Sequence, residues 1–209
     1  MSLDVIRLIG AVNRQLSTRD KDGSRARVLL AIHTVAAPRP DVWDALTNPE
    51  RIPRWFLPIS GELRAGGRYQ LEGNAGGDIL TCRPARGFSL TWGMHGQASW
   101  VAVELSDRPE GTFVRLEHVA HVPDELWQQF GPGAVGIGWD QALLGLHQHF
   151  ASSGSLTPES ATAWLATEEG KSFVRLSGQA WCEASISAGD DPDLARAAAD
   201  RTIALYSGA

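Results

Sequence analysis

The chain has 209 residues, 43% hydrophobic and 21% charged, with 19 basic against 24 acidic side chains and a formal charge of −5. That balance fits a folded globular chain able to bury roughly 70% of its extended surface. It excludes intrinsic disorder and the basic surface that tracks nucleic acid or coats an anionic membrane. No run approaches the ~20 apolar residues of a membrane span. Asp4 and Arg7 stand where a secretory apolar region would lie, so a cytoplasmic setting with Cys82 and Cys182 as free thiols is expected.

Residues 5–35 read as two extended segments around the turn Asp20-Lys21-Asp22-Gly23, with a hairpin over 12–34. Val5, Leu8, Ile9 and Val12 also fit a helical period, which leaves the first ten residues open. Pro40 suits the first turn of a short helix over 41–47, and Asn48-Pro49 starts a second that ends near Trp55. From 59 to 121 the pattern is an antiparallel meander, with strands at 68–73, 78–83, 87–94, 98–106 and 111–121 between tight turns. Residues 135–151 form one long helix, with Trp139, Leu143, Leu146 and Phe150 as its apolar stripe. Beyond the Ser/Gly stretch 152–155, Thr157-Pro158 opens a tail of three short helices. Gly170 and Gly189 are read as stops and Asp191-Pro192 as a start. The expected division is 1–154 as an α+β domain and 155–209 as a helical extension, packed on that domain or on a partner subunit.

Strand alternation assigns faces. Phe88, Leu90, Trp92 and Met94 share one side, as do Val101, Val103 and Leu105. Val114, Leu116 and His118 oppose Arg115 and Glu117; Tyr69 with Leu71, and Leu80 with Cys82, are also placed inward. The expected ligand-binding set is Trp55, Phe56, Tyr69, Leu71, Leu80, Leu90, Trp92, Val103, Leu116, His118, Trp139 and Leu143. Trp127, Phe130 and Gly131 to Gly138 form a mobile rim. Such a wall is apolar with few polar groups: the Tyr69 hydroxyl, the indoles of Trp55, Trp92 and Trp139, and His118. A ligand with a ring system and one or two oxygens suits it. Core filling is the competing account of each inward aromatic.

Other chemistry finds less support. Gly131, Gly133 and Gly136 make a literal G-x-G-x-x-G, but no strand precedes them, so no nucleotide cofactor is expected. His118 and His121 point to opposite strand faces, and His147 and His149 diverge around a helix, so no metal is expected. No G-x-S-x-G elbow is present. His118 is the one catalytic candidate, a group for acid–base work in a setting poor in polar atoms.

An ordered set of residues carries a family signature. It begins with Pro40, Val42, Trp43, Ala45, Leu46, Thr47, Pro49, Glu50, Ile52 and Trp55, and continues through Gly66-Gly67-x-Tyr69, Leu90-x-Trp92 and Leu116-x-His118. It ends with Gly138-Trp139-x-x-x-Leu143-x-x-Leu146. This set resembles the heat-shock-protein-90 ATPase activator homologue family of the SRPBCC (START-like, Bet v 1-like) superfamily, over roughly 27–152. The tail is similar to extensions on actinobacterial members.

The resemblance implies a helix-grip fold, a curved antiparallel sheet around the long helix. It also implies a cavity for a hydrophobic small molecule between the two. No co-chaperone role is expected, because eukaryotic activators make much of that contact through an additional domain. Three functions follow: a binding module for an aromatic or polycyclic molecule, a cyclase or hydrolase using His118 and Tyr69, or an interaction module whose C-terminal helices form a homodimer or partner surface.

Overall fold

A computed structural model of the chain describes residues 4–94, 97–151 and 158–208. Its helices are α1 (Val5–Gly10), α2 (Arg39–Thr47), α3 (Asp124–Phe130), α4 (Gly133–Ala151), α5 (Pro158–Leu165), α6 (Glu168–Ser187) and α7 (Pro192–Ser207). Its strands are β1 (Asn13–Lys21), β2 (Ser24–Val35), β3 (Ile59–Gly61), β4 (Arg68–Leu71), β5 (Gly76–Arg83), β6 (Gly87–Met94), β7 (Gln97–Arg108) and β8 (Gly111–Ala120). The strands form one antiparallel sheet in the order β1-β2-β8-β7-β6-β5-β4-β3. With the long α4 they give the α+β helix-grip fold that the family resemblance implies. No helix among the described residues is long and apolar enough to cross a membrane.

Local chemistry explains most element ends. Asp22 and Gly23, both at positive φ, turn β1 into β2. Pro40 sits in the first turn of α2, where a missing N–H costs nothing. Asp191 caps α7 by accepting from the N–H groups of Asp193 and Leu194. The first ten residues resolve as the helix α1, capped by the Asp4 carboxylate on Arg7 N–H.

Three expectations need correction. The second short helix is a single 3-10 turn, Ile52–Arg54. The rim of residues 131–138 is helical from Gly133 onward. Trp127 is pinned there: its indole N–H donates to Asp190 at 3.0 Å, and the Arg27 guanidinium lies 4.2 Å from its ring centroid. Gly170 does not stop a helix. It lies in the first turn of the 20-residue α6, where its N–H is capped by the Thr167 hydroxyl and a Cβ would overlap the Trp164 carbonyl. The Thr157 cap, the Ser/Gly stretch and the boundary at 154 lie outside the described residues.

The chain forms two compact units. One holds residues 4–31, 121–144 and 159–208, the other 32–94, 97–120, 145–151 and 158. In the first, Val5, Ile9, Leu144 and Phe173 form an apolar cluster with Leu8, Trp164, Leu176 and Ala180. Helix α7 satisfies the open carbonyl end of α3: Arg201 donates to the carbonyls of Gln128 and Gln129, and Thr202 to that of Phe130.

The same unit buries an ion pair. Asp140 Oδ2 accepts from Arg14 Nε and Nη2, from Trp181 Nε1 and from Ser177 Oγ. The side chains of Arg14 and Asp140 are 5% and 1% exposed.

In the second unit the sheet rows are set by register. Ile79, Leu90, Val101 and His118 stand side by side across β5–β8. Phe88, Val103 and Leu116 form the next row, and Trp92 pairs with Ser99. Thr112 closes the far end by donating to the Ala37 carbonyl at 2.7 Å.

Candidate ligand-binding face

The apolar face of β4–β8 gathers much of the predicted set. Tyr69, Leu71 and Ile79 are buried together, and Phe56, Leu57, Ile59, Leu63, Leu90 and Trp92 pack on them while keeping part of their surface open. Val103, Leu116 and His118 are buried on the neighbouring rows. Trp55 and Phe56 are half-buried and stack with centroids 5.4 Å apart. Trp139 and Leu143 are buried on the part of α4 that belongs to the first unit.

Leu80 is a correction, being 49% exposed. The β5–β6 register shifts between Ile79 and Thr81, and that irregularity gives the buried position to Ile79. Met94, placed inward with Trp92 by strict alternation, is exposed at the end of β6.

The polar atoms expected to meet a ligand have partners within the protein. The Trp55 indole N–H donates to the Ala45 carbonyl at 2.9 Å, and the Tyr69 hydroxyl to the Thr91 carbonyl at 2.9 Å. Burial pushes the Tyr69 phenol above its ordinary range, so it keeps its proton. Tyr69 pairs across the strands with Gly61 and Gly77, and its ring centroid lies 6.4 Å from that of Trp92.

Ser99 and His118 form a chain. The Ser99 hydroxyl donates its single proton to the Trp92 carbonyl at 2.9 Å, so His118 Nε2, 2.7 Å from Ser99 Oγ, carries the hydrogen of that contact. His118 is 6% exposed, and burial pushes its pKa down to about 4. The imidazole is therefore neutral. A nucleophile–base dyad requires the serine proton to point at the imidazole, and here the proton points away. The sequence showed His118 as an inward group but gave no sign of Ser99, since a small serine fits either face.

A groove of about 360 Å³ opens at the β3–β6 end of the sheet, lined by Ser60, Gly61, Arg68, Tyr69, Gln70 and glycines of β5 and β6. Tyr69 alone of the predicted residues borders it. Among the described residues no group of three or more His, Cys, Asp or Glu is placed to hold a metal ion.

Comparison with known proteins adds to this geometry. The family model for activator of Hsp90 ATPase homolog 1-like protein matches residues 36–151. CalU16 from Micromonospora echinospora is similar in its solution NMR structure at 34% identity, over 86% of this chain and 97% of that one, with a TM-score of 0.72. Its crystal structure is 32% identical over 83% and 98%, with a TM-score of 0.67. DynU16, a protein in the dynemicin biosynthetic locus, shares the fold at 19% identity over 61% and 48%, with a TM-score of 0.52. A search of curated proteins finds no match. With the family signature matched over more than half its length and CalU16 matched across nearly its whole length, the chain belongs to the activator of Hsp90 ATPase homolog 1-like family, of SRPBCC type.

Proposed function

We propose that this protein binds a hydrophobic small molecule with an aromatic or polycyclic ring system, held against the apolar face of β4–β8. The observation that carries the reading is the cluster around Tyr69. Phe56, Leu90 and Trp92 keep part of their surface open beside the buried Tyr69, Leu71 and Ile79. Aromatic side chains around an apolar floor favour flat ligands by stacking and by removal of apolar area from water. The family's ligand-binding fold is consistent with this use of the sheet.

The test uses the intrinsic fluorescence of the protein. Polycyclic aromatics, flavonoids, polyketides, sterols and fatty acids are titrated, and the aromatic members are expected to quench or shift tryptophan emission. The response should shrink in Trp92→Phe, because Trp92 is the half-buried tryptophan packed on Tyr69. Silence across the whole panel overturns the proposal.

A further inference from the structure

The hydrogen-bond donors of this face limit what a bound molecule can carry. Of the side-chain donors on or beside it, those of Trp55, Tyr69, Ser99 and His118 are each directed at an acceptor within the protein. Three of those acceptors are backbone carbonyls, of Ala45, Thr91 and Trp92, which cannot turn away to release a donor. The fourth is Ser99 Oγ, itself anchored to the Trp92 carbonyl. The rows between them, Ile79, Leu90 and Val101 with Phe88, Val103 and Leu116, bring no charge. Arg115 and Glu117 stand on the alternate residues of β8 and pair with each other at 2.8 Å on the opposite face.

An oxyanion or carbonyl pressed onto this face loses its water and receives none of these four donors in exchange. A buried acceptor left in that state costs about 1–3 kcal/mol, and an ionised carboxylate costs more. We infer that the face selects neutral ligands whose contacting surface is unsubstituted aryl or alkyl, and rejects molecules that direct a carboxylate or ketone at it. The inference rests on the binding proposal above and deepens it. It also revises the sequence-based expectation of a ligand with one or two oxygens, since Trp55, Tyr69 and His118, three of the groups meant to meet those oxygens, are already bonded.

The experiment compares three probes on one ring system by equilibrium dialysis at pH 7.5: 2-methylnaphthalene, 2-acetylnaphthalene and 2-naphthoate. The hydrocarbon is expected to bind at least about tenfold tighter than the naphthoate, with the ketone between them. Equal or tighter binding of the naphthoate overturns the selectivity. Failure of all three probes to bind overturns the binding proposal itself, so the two failures are distinct.

Ser99→Ala supplies a second arm. Removing the serine oxygen takes away the acceptor that His118 Nε2 uses here, so its hydrogen can be offered to a ligand. The preference for hydrocarbon over ketone should then fall several-fold, in protein shown to be folded by circular dichroism. An unchanged preference in folded Ser99→Ala overturns the inference, because spent donors would then not be its cause.

Discussion

The two compact units each bury a polar group, and they do it in opposite ways. The first buries charge: Arg14 and Asp140 are nearly inaccessible, and Asp140 Oδ2 gathers Arg14, Trp181 and Ser177. The second buries a neutral imidazole, His118, bonded through Ser99 to a backbone carbonyl. A charge pair of this kind ties β1, α4 and α6 to one point, and each partner depends on the other. A neutral chain of donors makes a weaker demand and leaves the surrounding face apolar. Charge thus marks the unit whose elements are braced together, and neutrality the unit proposed to receive a ligand.

The comparison breaks most sharply at Asp140. Asp140→Ala leaves the Arg14 guanidinium buried with no carboxylate, and losing one partner of a buried pair costs about 3–5 kcal/mol. That is a large share of a typical domain's stability. Denaturant unfolding should show either a midpoint lowered accordingly or a chain that no longer folds. A loss below about 1 kcal/mol would mean that the pair is not a brace. Burial pushes the Asp140 carboxyl upward against the lowering pull of Arg14.

His118 gives the matching experiment in the second unit. In the fold its pKa is near 4, against an ordinary 6.5. The unfolded chain therefore takes up a proton below 6.5 that the folded chain refuses. The stability from this group is complete above pH 6.5 and is lost as pH falls to about 4, to the extent of about 3 kcal/mol. His118→Leu keeps the Ser99 bond to Trp92, so it should cost only about 1 kcal/mol at pH 7.5. It should also flatten the stability profile between pH 6.5 and 4 relative to wild type. Superimposable profiles would remove His118 as the buried neutral group.

Close packing is where the two units should behave alike. A Cβ at Gly136 would overlap the indole of Trp181, and one at Gly145 would overlap the Trp55 carbonyl. Gly136→Ala and Gly145→Ala are each expected to cost about 1–3 kcal/mol by overpacking. Gly145→Ala should cost more, because a backbone carbonyl cannot rotate aside. Thermal melts of the two variants measure the order directly.

The fold was legible because its signals are local: Asp22-Gly23 in the first hairpin, Pro40 in α2, and alternation along β6–β8. Leu80 was misplaced because the register shift at Ile79–Thr81 arises from backbone pairing and has no residue type of its own. Gly170 was misread because glycine ends helices and also admits close neighbours, and only the Trp164 carbonyl decides which. At the site, the inward side chains could be read, but the state of their hydrogens could not, since their partners are carbonyls with no sequence signature. Asp140 did leave a mark, as the lone charged residue between Gly133 and Leu146. Its partners lie 126, 41 and 37 positions away.

A third polar cluster lies between the two extremes and offers the smallest effect. In the second unit, Arg51 donates to Asp41 at 2.6 Å, to Asp44 at 2.9 Å and to His149 Nε2 at 3.0 Å. A guanidinium can only donate, so His149 accepts on Nε2 and is neutral. Burial first, then the charges of Arg51 and Arg54, hold its pKa below the ordinary value, while Asp41 pulls the other way. Arg51→Gln removes one of the two cations, so the ring titration followed by NMR should move upward. It should remain below the ordinary value, because burial and Arg54 persist. Asp44, held down mainly by its bond to Arg51, should rise in the same variant. The stability tied to neutral His149 has the same sign as for His118, present above the ordinary pKa and lost as pH falls. It is much smaller here, because solvent reaches this imidazole and screens the cost of charging it. An unmoved His149 titration would mean that burial alone sets its pKa, and the graded series from paired charge through screened cluster to neutral chain would lose its middle member.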